Sequence, residues 1–306
     1  MRVIFMGTPD FAIPSLEAIV EAGYTIPLVV TLPDKPKGRG RKLSPSPVKA
    51  RAEELGIEVA TPGKLRDPEF LELLSFKKPD VICVVAFRIL PGEVFSIPSR
   101  GSFNLHGSLL PKYRGAAPIN RAIMAGERET GVTTFFLKRK VDTGDVILKK
   151  RIPIGPEMTA GELRDIMKIV GAEAVIETLR LIEEGGVKLE PQADEEATPA
   201  PKIFREDCRI DWSQPAVQLH NMIRGLSPYP GAFTLWEGKS LKVLRAKLGE
   251  KQGLGQGEVL VEEERLFVGA GDGSLELAEV QREGKRVMGV TEFLRGISIP
   301  QATRFD

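Results

Sequence analysis

Asp80-Val81-Ile82-Cys83-Val84-Val85-Ala86 is apolar at every position from Val81 to Ala86. Successive side chains of a strand point to opposite faces, so a strand with one wet face alternates apolar and polar residues. This stretch does not alternate, and it fits a strand in a sheet covered on both sides. Residues 2–6 have the same character and close on Gly7, and residues 25–31 form another strand pattern. Between these runs, residues 11–21, 48–55 and 68–76 carry apolar positions at helical spacing. Downstream, residues 102–106, 132–136 and 145–154 read as strands and residues 118–124 as a helix. Thr159-Ala160-Gly161-Glu162 is a capping box. It opens a helix whose stripe of Leu163, Ile166, Met167, Val170 and Ala174 runs towards Gly185-Gly186. Strands alternating with helices predict an α/β fold: a Rossmann-like, doubly wound, mostly parallel sheet.

Beyond that helix, residues 189–201 are proline-rich, acidic and without periodicity, which predicts a linker. After a short helix near residues 216–224 come short β-type runs at 232–236, 241–248, 257–261, 266–268 and 274–280, punctuated by glycine. These predict a C-terminal small β-barrel, OB-like. The expected organisation is a first domain at residues 1–188, a linker at 189–204 and a second domain at 205–306.

The chain has 306 residues, 42% of them hydrophobic and 28% charged, which excludes a disordered or collagen-like chain. No run approaches the ~20 apolar residues of a membrane-spanning helix. Nothing resembling a signal or transit peptide precedes the first strand pattern, so a cytoplasmic location is expected. Two distant cysteines, Cys83 and Cys208, fit a reducing compartment. With 43 Lys+Arg against 42 Asp+Glu, the net charge of +1 argues at first against a nucleic-acid partner. The local distribution says otherwise. Residues 35–51 hold seven cations, Lys35, Lys37, Arg39, Arg41, Lys42, Lys49 and Arg51, with no acidic residue. Pro36, Gly38, Gly40, Pro45 and Pro47 predict an irregular loop, suited either to gripping a polyanion or to lying solvated.

Asn104 and His106, two apart on a strand, project side by side. Gly107 and Ser108 then turn the chain where open α/β sheets place ligands. An amide beside an imidazole there offers an oxyanion donor and a proton carrier, although a satisfied polar pair has the same appearance. Asp142-Thr143-Gly144-Asp145 suits a tight turn, and its first carboxylate could also orient His106. Gly7-Thr8-Pro9-Asp10 fits a packing turn as well as a ligand contact, and lacks phosphate-loop spacing. No metal-ligand cluster and no Ser or Cys nucleophile motif occurs, so no metal is expected.

Asn104-Leu105-His106-Gly107-Ser108-Leu109-Leu110-Pro111, followed by Arg114-Gly115 and Asp142-Thr143-Gly144, resembles the core motif of the 10-formyltetrahydrofolate-dependent formyltransferases. GTPDFA from Gly7, PDKPKGRGRKLSPSPVK from Pro33, HGSLLPKYRGAAPINRAI from His106 and ETGVTTF from Glu129 extend the likeness. So do ATPAPKI from Ala197 and IDWS from Ile210. The basic loop and the C-terminal β domain are similar to the tRNA-modifying branch of that family.

The resemblance implies transfer of a formyl group from 10-formyltetrahydrofolate, as co-substrate, to the methionine amine on initiator tRNA. It implies that Asn104 and His106 hold the oxyanion, that His106 carries a proton, and that Asp142 tunes His106. Ser108, Leu109, Leu110 and Pro111 would contact the folate, with Phe87, Ile89 and Leu90. Phe87-Arg88 departs from the Tyr-Gly pair common in the family. Arg39, with Lys37, Arg41 and Lys42, matches the loop that enters the acceptor end of the tRNA. Lys242 and Arg245 are candidates for contacts to the tRNA stem from a second domain that is near neutral overall. A monomer is the family expectation. Two other readings stay open: a formyltransferase acting on a small amine such as an amino-sugar nucleotide, and a non-catalytic RNA-binding protein.

Overall fold

The computed structural model describes residues 1–37 and 42–306. It separates into two compact units. One comprises Met1–Gly115, Thr130–Ile152 and Arg164–Pro199, the other Ala116–Glu129, Pro153–Leu163 and Ala200–Asp306.

The first unit begins with β1 (Val3–Gly7), α1 (Ile13–Glu21) and β2 (Val29–Val30), then a ribbon of β3 (Lys35–Lys37) and β4 (Lys42–Ser44). Next come α2 (Pro47–Glu54), β5 (Val59–Ala60), α3 (Pro68–Phe76), β6 (Val81–Val85), α4 (Gly92–Phe95), β7 (Ser102–His106) and β8 (Arg114–Gly115). Helix α5 (Pro118–Met124) belongs to the second unit, and β9 (Glu129–Phe136), β10 (Val146–Pro153), α6 (Ala160–Glu184) and β11 (Pro199–Ala200) follow. Seven strands form one sheet in the order β10-β9-β7-β6-β1-β2-β5. β5, β2, β1, β6 and β7 pair in parallel, and β7 meets β9 antiparallel with His106 opposite Thr133. The mostly parallel Rossmann-like sheet is therefore as expected. All five residues of β1 and of β6 are buried, which is why both read as unbroken apolar runs.

The strand expected at residues 25–31 is confined to Val29–Val30, with Thr25 held to Arg2 by an isolated bridge. Pro27 lies between these pairings and has no N–H for a ladder. The basic loop also differs from expectation. Lys35 pairs with Ser44, Pro36 with Leu43 and Lys37 with Lys42, so its flanks form an antiparallel ribbon. A two-stranded ribbon has free edges on which a proline is tolerated. Arg39 and Arg41, and the side chains of Lys37 and Lys42, lie outside the described residues. Two of the seven cations are neutralised: Lys49 sits 2.9 Å from Asp34, and Arg51 bridges Glu17 at 2.7 Å and Glu54 at 2.8 Å.

The turn after β1 is explained by packing. A Cβ on Gly7 would lie 2.9 Å from Ala12 Cβ and 3.0 Å from Val85 O. Asp10 pairs with Arg164 and Lys168 of α6, and these partners hold its carboxyl well below the usual range. A depressed carboxylate pKa adds stability above the unfolded value of about 3.9, and that stability is lost as pH falls through the folded value. Asp10→Asn is therefore expected to destabilise the protein at pH 7 by up to about 1 kcal/mol, since the pair is half exposed. Urea unfolding should show this difference shrinking below about pH 4.

In the second unit, α7 (Ala216–Leu226) precedes β12 (Ala232–Trp236), β13 (Lys239–Gly249), β14 (Val259–Glu262), β15 (Arg265–Gly269), β16 (Ser274–Arg282), β17 (Met288–Gly289) and α8 (Val290–Arg295). The sheet runs β12-β13-β16-β15-β14, with β17 on β16, and every pairing is antiparallel. Its core unites Leu219, Ile223 and Leu226 of α7 with Trp212, Val243, Leu266 and Phe293. The buried Trp212 indole donates to Thr234 Oγ1 at 3.0 Å, and Thr234 donates to the Asp306 carbonyl at 2.8 Å. Such a satisfied buried indole explains a structural role for Ile210-Asp211-Trp212-Ser213. Among the described residues, no helix is long and apolar enough to cross a membrane, and no group of three His, Cys, Asp or Glu could hold a metal ion.

Candidate active site

Strand β7 delivers Asn104 and His106 to the same face of the sheet, at its C-terminal edge. His106 is only 6% exposed. Its Nε2 lies 2.9 Å from the Tyr113 carbonyl oxygen, which can only accept. Nε2 is therefore the protonated nitrogen of the neutral ring, and Nδ1 carries the free lone pair. Nδ1 faces Asp142, with Oδ2 4.0 Å away. That separation exceeds direct hydrogen-bond reach of ~2.7–3.2 Å. The ring and the carboxylate therefore face one another without a direct hydrogen bond. The side-chain amide of Asn104 makes no hydrogen bond among the described residues. It is thus available as a donor next to the imidazole.

The carboxylate of Asp142 is aimed from two sides. Gly115 N–H donates to Oδ2 at 3.0 Å, and the backbone of Asp142 itself adopts the left-handed region with φ 55°. An Asp tolerates that conformation better than most residues, at a modest cost. The segment after β7 is equally fixed. Ser108 hydroxyl donates to the Lys112 carbonyl at 2.6 Å, Thr133 hydroxyl donates to the Ser108 carbonyl at 2.7 Å, and Leu110 N–H donates to Thr133 Oγ1 at 3.1 Å.

The expected folate contacts divide. Ile89 and Leu90 line a cavity of about 1190 Å3 together with Arg66, Gly92, Leu137 and Lys138. Ile89 stands 71% exposed. Phe87 packs against the core beneath. Ser108 and Leu110 are buried, with the Ser108 hydroxyl spent on Lys112, and Leu109 and Pro111 belong to the same turn. None of these four lines the cavity beside Ile89. Arg88, the departure from the family pattern, lines the same cavity. Its guanidinium donates to the carbonyls of Pro62 and Gly63 and lies 5.5 Å from the centre of the Phe87 ring.

Of the second-unit candidates, Lys242 donates to the Pro230 carbonyl at 2.7 Å, and Arg245 pairs with Glu162 at 2.5 Å and Glu279 at 3.7 Å. His220, read from sequence as structural or surface, is buried with Nε2 3.2 Å from Glu157. Sequence reasoning assigned no role to Tyr113, Gly115, Thr133 or Gln192, although the first three lie within the quoted motif stretches. Tyr113 and Gly115 act through backbone atoms, and Gln192 sits in a stretch without periodicity, so no pattern marked their contacts.

Comparison with known proteins gives concordant results. Family models for "Formyl transferase" and "Formyl transferase, C-terminal domain" match residues 1–179 and 202–298. The methionyl-tRNA formyltransferase of Caldanaerobacter subterraneus subsp. tengcongensis is 47% identical over 306 residues, covering 99% of both chains. Among solved structures, an N-formyltransferase from Helicobacter canadensis in complex with folinic acid and dTDP-3-aminofucose superposes with TM-score 0.70 at 22% identity, over 92% of this chain and 98% of that one. HypX from Aquifex aeolicus in complex with tetrahydrofolic acid gives TM-score 0.66 at 22% identity, over 96% of this chain and 47% of that longer one. At these identities the structural likenesses speak to the fold.

Proposed function

This chain belongs to the formyl transferase family, and we propose that it transfers the formyl group of 10-formyltetrahydrofolate to the free amine of methionyl-tRNA, supplying formylated initiator tRNA. The observation that carries this reading is the relationship over 99% of both chains to a methionyl-tRNA formyltransferase. The amino-sugar reading is weaker, because its support is a likeness of fold at 22% identity. The protein acts as a monomer in the cytoplasm, with no metal.

In this reading the methionine nitrogen attacks the formyl carbon directly, and a new C–N bond forms while the carbonyl electrons move to oxygen. Asn104 donates to that oxyanion, an interaction worth ~2.7–4 kcal/mol in related sites. Nδ1 of His106 takes the proton from the attacking nitrogen. The imidazolium so formed faces Asp142 and offers a second N–H. Its proton then goes to the folate N10 as the bond to the formyl carbon breaks, and the imidazole returns to its starting tautomer. No protein nucleophile takes part. Ile89 and Leu90 form the apolar wall on which the folate ring system rests.

The cations Lys37, Arg39, Arg41 and Lys42 grip the acceptor end of the tRNA. Lys242 and Arg245 contribute only by exchanging their present partners for phosphate. Arg39→Ala is expected to raise KM for methionyl-tRNA several-fold, and the defect should shrink as salt screens the wild-type contact. KM for 10-formyltetrahydrofolate should stay unchanged. Equal loss for both substrates would count against this assignment. The activity itself is tested by incubating the protein with 10-formyltetrahydrofolate and methionyl-tRNA, hydrolysing the ester and identifying N-formylmethionine. Recovery of unmodified methionine alone would refute it.

A further inference from the structure

Gln192 lies in the acidic, proline-rich stretch that sequence reads as a linker, yet its amide is fully engaged inside the first unit. Nε2 donates to the Asp142 carbonyl at 3.0 Å and to the Gly144 carbonyl at 2.7 Å. Oε1 accepts from Arg114 Nε at 3.0 Å and from Arg114 Nη2 at 2.8 Å. Only this orientation of the amide satisfies all four contacts, because carbonyls cannot donate and a guanidinium cannot accept.

From this closed geometry we infer that Gln192 is a positioning residue for the Asp142 carboxylate. The inference rests on the catalytic reading given above for Asp142. One end of the amide fixes the backbone of Asp142, which sits in the left-handed region with φ 55°. The other end fixes Arg114, the neighbour of Gly115, and Gly115 N–H is the donor that holds Asp142 Oδ2 at 3.0 Å. The ring of contacts therefore runs from Gln192 to the Asp142 backbone, through the carboxylate to Gly115, along the chain to Arg114 and back to Gln192. It captures the carboxylate between two segments that are 27 residues apart in sequence. Asp142 Oδ2 keeps its 4.0 Å approach to His106 Nδ1 as long as the ring is closed. Asp194 makes a different tie from the same stretch, at 2.8 Å to Arg114 Nη1, and touches neither carbonyl.

The test is a kinetic cycle on the full chain with methionyl-tRNA and 10-formyltetrahydrofolate. It compares wild type, Gln192→Ala, Gln192→Glu, Asp142→Ala, the double variant Asp142→Ala/Gln192→Ala, and Asp194→Asn. Gln192→Glu keeps acceptors for Arg114 and loses the donors to the two carbonyls, so it covers the case in which Gln192→Ala fails to fold. Both Gln192 variants should lower kcat by up to about a hundredfold, the scale of an ångström-sized misplacement, with KM for each substrate little changed. Asp194→Asn should stay close to wild type. In the Asp142→Ala background, Gln192→Ala should cost nothing further, because the carboxylate it aims is already gone. Wild-type kcat in Gln192→Glu, or losses that multiply in the double variant, would overturn the inference and leave the role of Asp142 standing. A fully active Asp142→Ala would overturn both, and is told apart because it appears in the single variant.

Discussion

His106→Ala is expected to lower kcat for formylation of methionyl-tRNA by ~10^2–10^4-fold, the range for removing a positioned proton carrier. KM for either substrate should change far less, because the ring acts on the nitrogen and oxygen that change charge during reaction. The Nε2–H bond to the Tyr113 carbonyl fixes which nitrogen is the base, so the effect belongs to Nδ1. Alanine also removes the Nε2 contact to the Tyr113 carbonyl, which adds a stability effect of ~0.5–1.5 kcal/mol to the comparison. His106→Gln is the control. Its amide can still donate towards Tyr113 O but offers no base, so it should fold as wild type does and remain as inactive as the alanine variant. Wild-type kcat in either variant would remove His106 from the mechanism.

Gly144→Ala should be the most damaging glycine-to-alanine change among the described residues. A Cβ built there would stand 1.6 Å from the Phe136 carbonyl oxygen and 2.8 Å from its carbon, and both are backbone atoms that cannot rotate aside. The same corner carries the Phe136 N–H to Asp145 O bond at 3.1 Å that joins β9 to the turn before β10. The turn must therefore move, and Asp142 with it. Overpacking usually costs ~1–3 kcal/mol, and a clash with fixed backbone belongs at or above the upper end. Urea unfolding is expected to show a loss of about 3 kcal/mol or more, together with a drop in kcat like that of the Gln192 variants. A variant with unchanged stability and activity would mean that the turn is far more pliable than its contacts indicate.

These two sites differ in how far the sequence revealed them. His106 and Asn104 were legible because a strand's period of two is local: two polar residues on a short apolar strand, ended by Gly107, must share a face. The sheet was legible for a similar reason, since strands such as Val81–Val85 are buried on both sides and say so in composition. Pro27 shortened one expected strand, and the ribbon around Lys35 and Ser44 formed despite its prolines, because a free edge asks less of each N–H. The role of residues 189–199 was not legible. Glu190 bridges to Val146, Gln192 holds the 142–144 turn, and Thr198 accepts from the Tyr113 and Arg114 N–H groups, all without any periodic signal. Single hydrogen bonds between segments distant in sequence leave no mark on local pattern.

Net charge misled for a related reason. The near balance of 43 basic and 42 acidic residues averages a ribbon rich in cations with acidic stretches such as Glu190–Glu196. Even the local count needed correction, since Lys49 and Arg51 are occupied by Asp34, Glu17 and Glu54. The other five cations of the segment are Lys35, Lys37, Arg39, Arg41 and Lys42.

A competition assay identifies the acceptor. The protein is given 10-formyltetrahydrofolate labelled in the formyl group, with methionyl-tRNA, uncharged tRNA and a dTDP-amino sugar present together at equal concentration. Label is expected on the methionine of the charged tRNA, released as N-formylmethionine on mild alkaline hydrolysis, and on neither of the other two. Label on the amino sugar, or on no acceptor at all, would contradict it.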